Sequence, residues 1–255
     1  MRINLLGRFE LQDDHGRALP QPGPKRRALL AALALDLGRT VPAERLTGLL
    51  WGAAPPADAR SALQGHVTGV RRLLDAAADP TPLAGSIPED PDGLHLVGRG
   101  TGYALLGHPD AVDAHRFERL CAAAYGEAAA DSVGLLHTAL ALWRGPALDG
   151  CGSTRLAAEA GPRLTAARWR AVERLAVETL TRRGESEARM PEVVAQLTAL
   201  LAAEPRRRTA AALLVRYLER PAPSTEAGGE PSCGPGSFAG RAGELARLDA
   251  AMATA

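Results

Sequence analysis

An α+β N-terminal part followed by an all-α second part is the architecture this sequence predicts, and three observations predict it. Within the first 108 residues, short alternating apolar runs bracket three amphipathic helical stretches, so period 2 and period 3.6 both occur. From Val112 to about Arg220 only the helical period recurs. Between Ser224 and Ser237 both give way to Pro, Gly and Ser, the composition of a linker.

The elements follow in order. Ile3, Leu5, Phe9 and Leu11 alternate across residues 2–12 and predict one half-buried strand. Asp13-Asp14-His15-Gly16 is a turn cluster, and a short strand at Arg17–Leu19 is expected to pair back. Pro20-Gln21-Pro22-Gly23-Pro24 interrupts the chain ahead of a helix. That helix, Lys25 to Leu37, carries Leu29, Leu30, Leu33 and Leu37 at helical spacing, with Gly38 as its stop. A second, Ala43 to Trp51, turns Leu46, Leu49 and Leu50 inward. The third, Asp58 to Asp75, has the cleanest stripe: Leu63, Val67, Val70 and Leu74. After a loop from Asp79 to Gly93, Leu94–Val97 and Tyr103–Leu106 flank the hairpin tip Gly98-Arg99-Gly100-Thr101-Gly102. Strands, three helices and a hairpin are the plan of a winged helix-turn-helix. The second part reads as paired helices at His115–Ala124, Ser132–Trp143, Glu159–Arg183, Pro191–Ala203 and Arg206–Arg220. Pairs of this length suggest tetratricopeptide-like stacking, with Trp143 and Trp169 in the core.

Composition narrows the chemistry. The chain has 255 residues, 46% of them hydrophobic, enough for two cored domains. Net charge is only +1, and residues 1–110 balance 12 Lys+Arg against 12 Asp+Glu. Attraction to phosphate fades over a Debye length of about 8–10 Å, so any DNA binding must come from local placement of Arg. Three cysteines, Cys121, Cys151 and Cys233, are odd in number and unpaired in spacing, and reduced thiols are expected. No Cys/His cluster has metal-ligand spacing, no nucleophile–base signature is visible, and no Gly-x-x-x-x-Gly-Lys-Ser/Thr phosphate loop occurs. The expectation is a protein that is not an enzyme and takes no cofactor or metal. No apolar run reaches the roughly 18 residues of a membrane span, and Met1–Gly7 alternates like a strand instead of following the plan of a signal peptide. A cytoplasmic protein at the nucleoid is expected.

Winding the third helix at about 100° per residue sets Ser61, Gly65, Thr68 and Arg72 opposite its apolar stripe, flanked by Gln64 and Arg71. A helix entering the major groove needs short polar groups and glycines for close approach, Gln to pair with adenine, and Arg to fork onto guanine or phosphate. The same pattern also describes an ordinary solvated face. Arg99, at the hairpin tip, sits where a wing would hold a phosphate or enter the minor groove, or is a plain exposed turn residue. Lys25-Arg26-Arg27 opens the first helix against its dipole; a phosphate or protein partner accounts for that, and so does a solvated charge run.

Four strings then occur together: Gly23-Pro24-Lys25-Arg26-Arg27-Ala28-Leu29-Leu30; Leu49-Leu50-Trp51; Ala62-Leu63-Gln64-x-His66-Val67-Thr68-x-x-Arg71-Arg72-x-Leu74; and Gly102-Tyr103-Ala104-Leu105. In that order they resemble the Streptomyces antibiotic regulatory protein (SARP) family, whose DNA-binding domain is an OmpR-type winged helix. Ala139-Leu140-Ala141-Leu142-Trp143-Arg144-Gly145-Pro146-Ala147-Leu148 is similar to a stretch of the bacterial transcriptional activation domain that follows it. The resemblance covers residues 2–220 and implies a winged-helix domain at 1–108, an activation domain at 111–220 and a linker at 221–237. Residues 238–255, from Phe238-Ala239-Gly240-Arg241, resemble the start of an ATPase domain carried by larger members, truncated here. By resemblance the function is sequence-specific activation at promoters of a secondary-metabolite gene cluster. Two protomers would sit on direct repeats of double-stranded DNA and recruit RNA polymerase holoenzyme. The implied contacts are Lys25, Arg26, Arg27, Gln64, Thr68, Arg71, Arg72 and Arg99. The alternative is a protein-interaction scaffold module of a larger signalling ATPase, for which a winged helix and a neutral net charge also serve. One departure stands out: Gly69 occupies a position where the family commonly has Arg, which implies one DNA contact fewer. The activation domain also turns to linker at Pro221, earlier than the family usually does.

Overall fold

The computed structural model describes residues 1–77, 93–126, 131–181 and 190–219. Most of the expected loop between Asp79 and Gly93, the expected linker 221–237, the segment 238–255 and Cys233 lie outside them. The chain divides into two compact units, Met1–Arg168 and Trp169 onward. Both are mainly helical, and the first also carries two small antiparallel sheets.

In the first unit, residues 2–12 form not the single strand that alternation predicts but a hairpin. Strand β1 (Arg2–Asn4) pairs antiparallel with β2 (Glu10–Gln12), Ile3 opposite Leu11. The short return strand is present as a bridge from Gln12 to Ala18. The reversal through Leu5, Leu6 and Gly7 is held by groups far away in sequence. Asp113 accepts hydrogen bonds from the backbone N–H of Leu5 (2.7 Å) and Leu6 (2.9 Å). The carbonyls of Leu5, Leu6 and Gly7 accept from the N–H groups of Leu148, Arg144 and Asp149. Buried backbone groups have to be paired somewhere, and here residues 113–149 do the pairing. A Cβ on Gly7 would come within 3.0 Å of the Arg144 Cβ, so glycine permits the close approach. Burial pushes the Asp113 carboxyl above its usual pKa, against the pull of the two N–H donors and of Arg144, 3.3 Å away.

Helix α1 (Pro24–Leu35) starts on a proline, whose missing N–H costs a first turn nothing. Its residues Ala28–Ala34 are all buried. Helix α2 (Ala43–Trp51) has the bounds that the sequence predicts, and α3 (Ala59–Ala77) buries Leu63, Val67, Val70 and Leu74 as expected. The hairpin of β4 (His95–Arg99) and β5 (Gly102–Leu106) gains a third, unanticipated strand, β3 (Val41–Pro42), in the order β3-β5-β4. Two residues are too short to show a period.

Helices α4 (Asp113–Tyr125) and α5 (Ser132–Leu140) pack against each other. Helix α5 stops three residues short of expectation, and Trp143 lies beyond it, buried, with its ring edge-on to Phe117 at 5.6 Å. Helix α6 (Thr154–Thr181) begins five residues before its predicted start at Glu159. The hydroxyl of Ser153 accepts from the Leu156 N–H at 3.1 Å, an N-cap. Pro162 stays inside the helix, where the preceding Gly161-Pro162 would otherwise read as a break.

The second unit comprises the later half of α6 with α7 (Met190–Ala203) and α8 (Arg208–Leu218). Val193, Leu197, Leu200, Leu213, Leu214 and Tyr217 are buried with Ala171, Val172, Leu175 and Ala176 of α6. Trp169 is buried as expected. Arg207 forks onto Glu173 at 2.8 and 3.2 Å, and the Tyr217 hydroxyl donates to the Ala176 carbonyl at 2.9 Å. Bidentate pairing of this kind holds an arginine more firmly than a single ion pair does.

Candidate nucleic-acid interface

The surface that the sequence singles out is built on α3. Asp58 accepts from the Ser61 N–H at 3.0 Å, and that bond holds the Asp58 carboxyl below its usual pKa. With the apolar stripe inward, Ser61, Gln64, Gly65, Thr68, Arg71 and Arg72 are exposed. Arg60, which the sequence candidates omit, is exposed in the first turn. Its position four residues ahead of Gln64 was the signal. Arg72 makes no hydrogen bond or ion pair with any described residue. Its neighbour Arg71 donates from Nε to the Leu96 carbonyl of β4 at 2.9 Å, which ties helix to hairpin while the residue stays exposed.

The hairpin turn is tight. Arg99 pairs with Gly102 across it, and Gly100 adopts φ +54°, a left-handed value that glycine accepts readily. The Thr101 carbonyl accepts from the Ala43 N–H at 3.0 Å, so the tip is anchored on the start of α2. Arg99 is exposed there.

The three basic residues opening α1 diverge. The Lys25 ammonium donates to the Leu50 carbonyl at the end of α2 and lies 6.0 Å from the Trp51 ring centre. A cation at a helix C-terminus also suits the dipole. Arg27 turns toward the fold: its Nε is buried and unpartnered, and burial pushes the Cys151 thiol above its usual pKa against the pull of the Arg27 charge. Arg26 is exposed and lies against α3 at Gly69, where a Cβ would come within 2.5 Å of its Nε. Gly69 therefore does not leave a bare stretch of helix; the Arg26 guanidinium covers it. His66 packs its ring 5.8 Å from Trp51. Burial, with Arg26 and Lys25 alongside, holds His66 below its usual pKa.

Gln64, Thr68, Arg71 and Arg72 thus share one helix face, while Lys25 is hydrogen-bonded within the fold and Arg27 is only partly exposed. A cleft of about 460 Å³ elsewhere in the unit is lined by Arg39, Arg45, His115, Glu118, Glu159 and Arg163. Its charges face one another: Arg163 with Glu118 at 3.3 Å, Arg45 with Glu159 at 4.0 Å. Among the described residues no His/Cys/Asp/Glu group could hold a metal ion, and no helix is long and apolar enough to cross a membrane. Cys121 and Cys151 are free and buried; burial pushes the Cys121 thiol up to about 11.

Comparison with known proteins adds independent findings. Residues 112–227 match the family described as bacterial transcriptional activator domain. The chain is 35% identical over 223 residues to the transcriptional regulator RedD of Streptomyces coelicolor, covering 86% of this chain and 59% of RedD. It is 33% identical over 212 residues to the regulatory protein DnrI of Streptomyces peucetius, covering 80% of this chain and 72% of DnrI. The solved structure of Mycobacterium tuberculosis EmbR, in complex with a low affinity phosphopeptide, superposes with a TM-score of 0.68 at 28% identity. That match covers 85% of this chain and 54% of the EmbR chain. This chain therefore spans little more than half the length of RedD or EmbR.

Proposed function

Since the chain belongs to the Streptomyces antibiotic regulatory protein family, a family of transcriptional regulators and not of enzymes, we propose that it is a sequence-specific DNA-binding transcriptional activator. The observation that carries this reading is the outward face of α3: Gln64, Gly65, Thr68 and Arg72 exposed beside the anchored β4–β5 hairpin and its Arg99. Helices α1–α3 with that hairpin form, in this reading, an OmpR-type winged helix-turn-helix spanning 1–108. Helices α4–α8 form a tetratricopeptide-like activation domain spanning 111–220.

The mechanism follows from the chemistry of the face. Helix α3 enters the major groove, and Gly65 lets its backbone come close. Gln64 and Thr68 reach base edges, and Arg72 forks onto guanine or phosphate. Arg99 holds the flanking backbone from the hairpin, while Arg60 and Arg26 add phosphate contacts. Lys25 ties α1 to the end of α2 and Arg71 ties α3 to the hairpin, the exposed Arg71 side chain also reaching toward DNA. Two protomers occupy direct repeats about one turn apart, ~10–10.5 bp, and so share one DNA face. The helical domain then offers the pair to RNA polymerase holoenzyme. The target genes belong to an antibiotic cluster, and the protein works in the cytoplasm, at the nucleoid.

The test is a footprint on the promoter regions of the protein's own gene cluster, titrated with salt and with unrelated competitor DNA. A protected pair of direct repeats, resistant to competitor and lost steeply as salt rises, is the expected result. Uniform weak protection or none would favour instead a scaffold module of a larger signalling ATPase.

A further inference from the structure

Gly69 and Arg26 fit together in a way that helix formation does not require. A Cβ at Gly69 would lie 2.5 Å from Arg26 Nε, 2.6 Å from Cζ and 3.0 Å from Nη2, closer than non-bonded atoms approach. The guanidinium therefore rests on the backbone of α3, in the space a side chain at 69 would fill. Glycine inside a helix is unfavourable relative to alanine. The three nearest atoms a Cβ would meet all belong to the far end of one flexible side chain, that of Arg26.

The place where this happens matters. Gly69 follows Gly65 by four residues and precedes Arg72 by three, so all three are neighbours on the helix surface. Gly65 and Arg72 are exposed on the outward face. Arg26 is exposed as well and pairs with no acidic group among the described residues. The neighbouring His66 is held below its usual pKa by burial and by the charges of Arg26 and Lys25, so it offers Arg26 no negative partner. A cation without an acidic partner, next in sequence to Lys25, is poorly placed for stability and well placed for an anion.

We propose that Gly69 is a positioning residue: its missing side chain seats the Arg26 guanidinium of α1 on the flank of α3, and from that seat Arg26 contacts a DNA phosphate alongside Arg72. The inference rests on the DNA-binding reading above and adds to it a contact whose geometry one glycine sets.

The test uses the full chain and a labelled mixed-sequence DNA duplex, followed by fluorescence anisotropy across a salt series, with thermal melting of every variant. Gly69→Ala is expected to melt no lower than the parent and to bind about fivefold more weakly. The slope of log K against log salt should become shallower by about 0.9, the signature of one lost phosphate contact. Arg26→Ala should lose as much affinity and slope, and the double variant should bind no more weakly than Arg26→Ala alone. Unchanged affinity in folded Arg26→Ala or Gly69→Ala overturns the proposal, as do losses that add in the double variant. Failure of the parent to bind the duplex at low salt overturns the DNA-binding reading itself and this proposal with it. A parent that binds while Gly69→Ala is indifferent overturns only the proposal.

Discussion

Asp113 and the outward face of α3 belong to the same compact unit and treat charge in opposite ways. Asp113 is 5% exposed, accepts from the N–H groups of Leu5 and Leu6 and faces Arg144. On α3, Gln64, Thr68 and Arg72 are exposed, and Arg72 has no partner among the described residues. Groups of the first kind hold the chain together, because an unmatched buried charge or donor is costly. Groups of the second kind add little to folding, since exposed charges are screened by water. In the DNA-binding reading they are left for a ligand outside the fold. The comparison also divides the basic residues: Lys25 behaves like the Asp113 cluster, Arg72 and Arg99 like the open face, and Arg71 like both.

Substitutions sharpen this contrast, the largest effect first. Asp113→Ala strands two N–H donors and leaves Arg144 with Glu10 as its acidic partner among the described residues, and an unfolding cost of about 3–5 kcal/mol is expected. Urea denaturation measures it; a cost no larger than that of a surface substitution would mean the hairpin does not depend on this carboxylate. Arg72→Ala should weaken operator binding by about 1–3 kcal/mol, tenfold or more, with stability changed by no more than about 0.5 kcal/mol. An unaltered dissociation constant in the folded variant would remove α3 from the recognition role. Lys25→Ala should reverse that balance. It loses a hydrogen bond to the Leu50 carbonyl, lowering stability by about 1 kcal/mol, while operator affinity falls less than for Arg72→Ala.

The smallest effect is a pH dependence. His66 has its pKa held down by burial and by Arg26 and Lys25, so the folded chain prefers it neutral. The unfolded histidine titrates near 6.5. As pH falls through that value toward the lower folded one, the unfolded state takes up the proton first and stability declines. Comparing urea midpoints at about pH 7.5 and 5.5, His66→Gln should show a smaller decline than the parent. Equal declines would show that the Trp51–His66 contact does not sense protonation.

Parts of this design are legible in the sequence for a definite reason. Helix α2 falls at Ala43–Trp51, and the stripe Leu63, Val67, Val70 and Leu74 is buried as its spacing implies. A helix repeats within four residues, so its inward face is written locally. The hairpin turn is written in Gly100 and Gly102 for the same reason. The hairpin at residues 2–12 is not legible in this way. Its reversal depends on Asp113, 108 residues beyond Leu5, and on the backbone of residues 144–149. Alternation implied a single strand because Ile3, Leu5, Phe9 and Leu11 are indeed buried; the burial of Leu6 and Gly7 breaks the pattern.

The sequence alone determined the order of the helices, the inward face of α3, the residue types on its outward face and the family to which the motifs belong. Those properties depend on near neighbours along the chain or on strings of adjacent residues. The tertiary structure decided which cation does what: Lys25 on the Leu50 carbonyl, Arg71 on Leu96, Arg26 over Gly69. An arginine side chain reaches far enough to serve a neighbouring helix, a strand or an outside ligand. Only the packing of α1, α2, α3 and β4 determines which of these it meets.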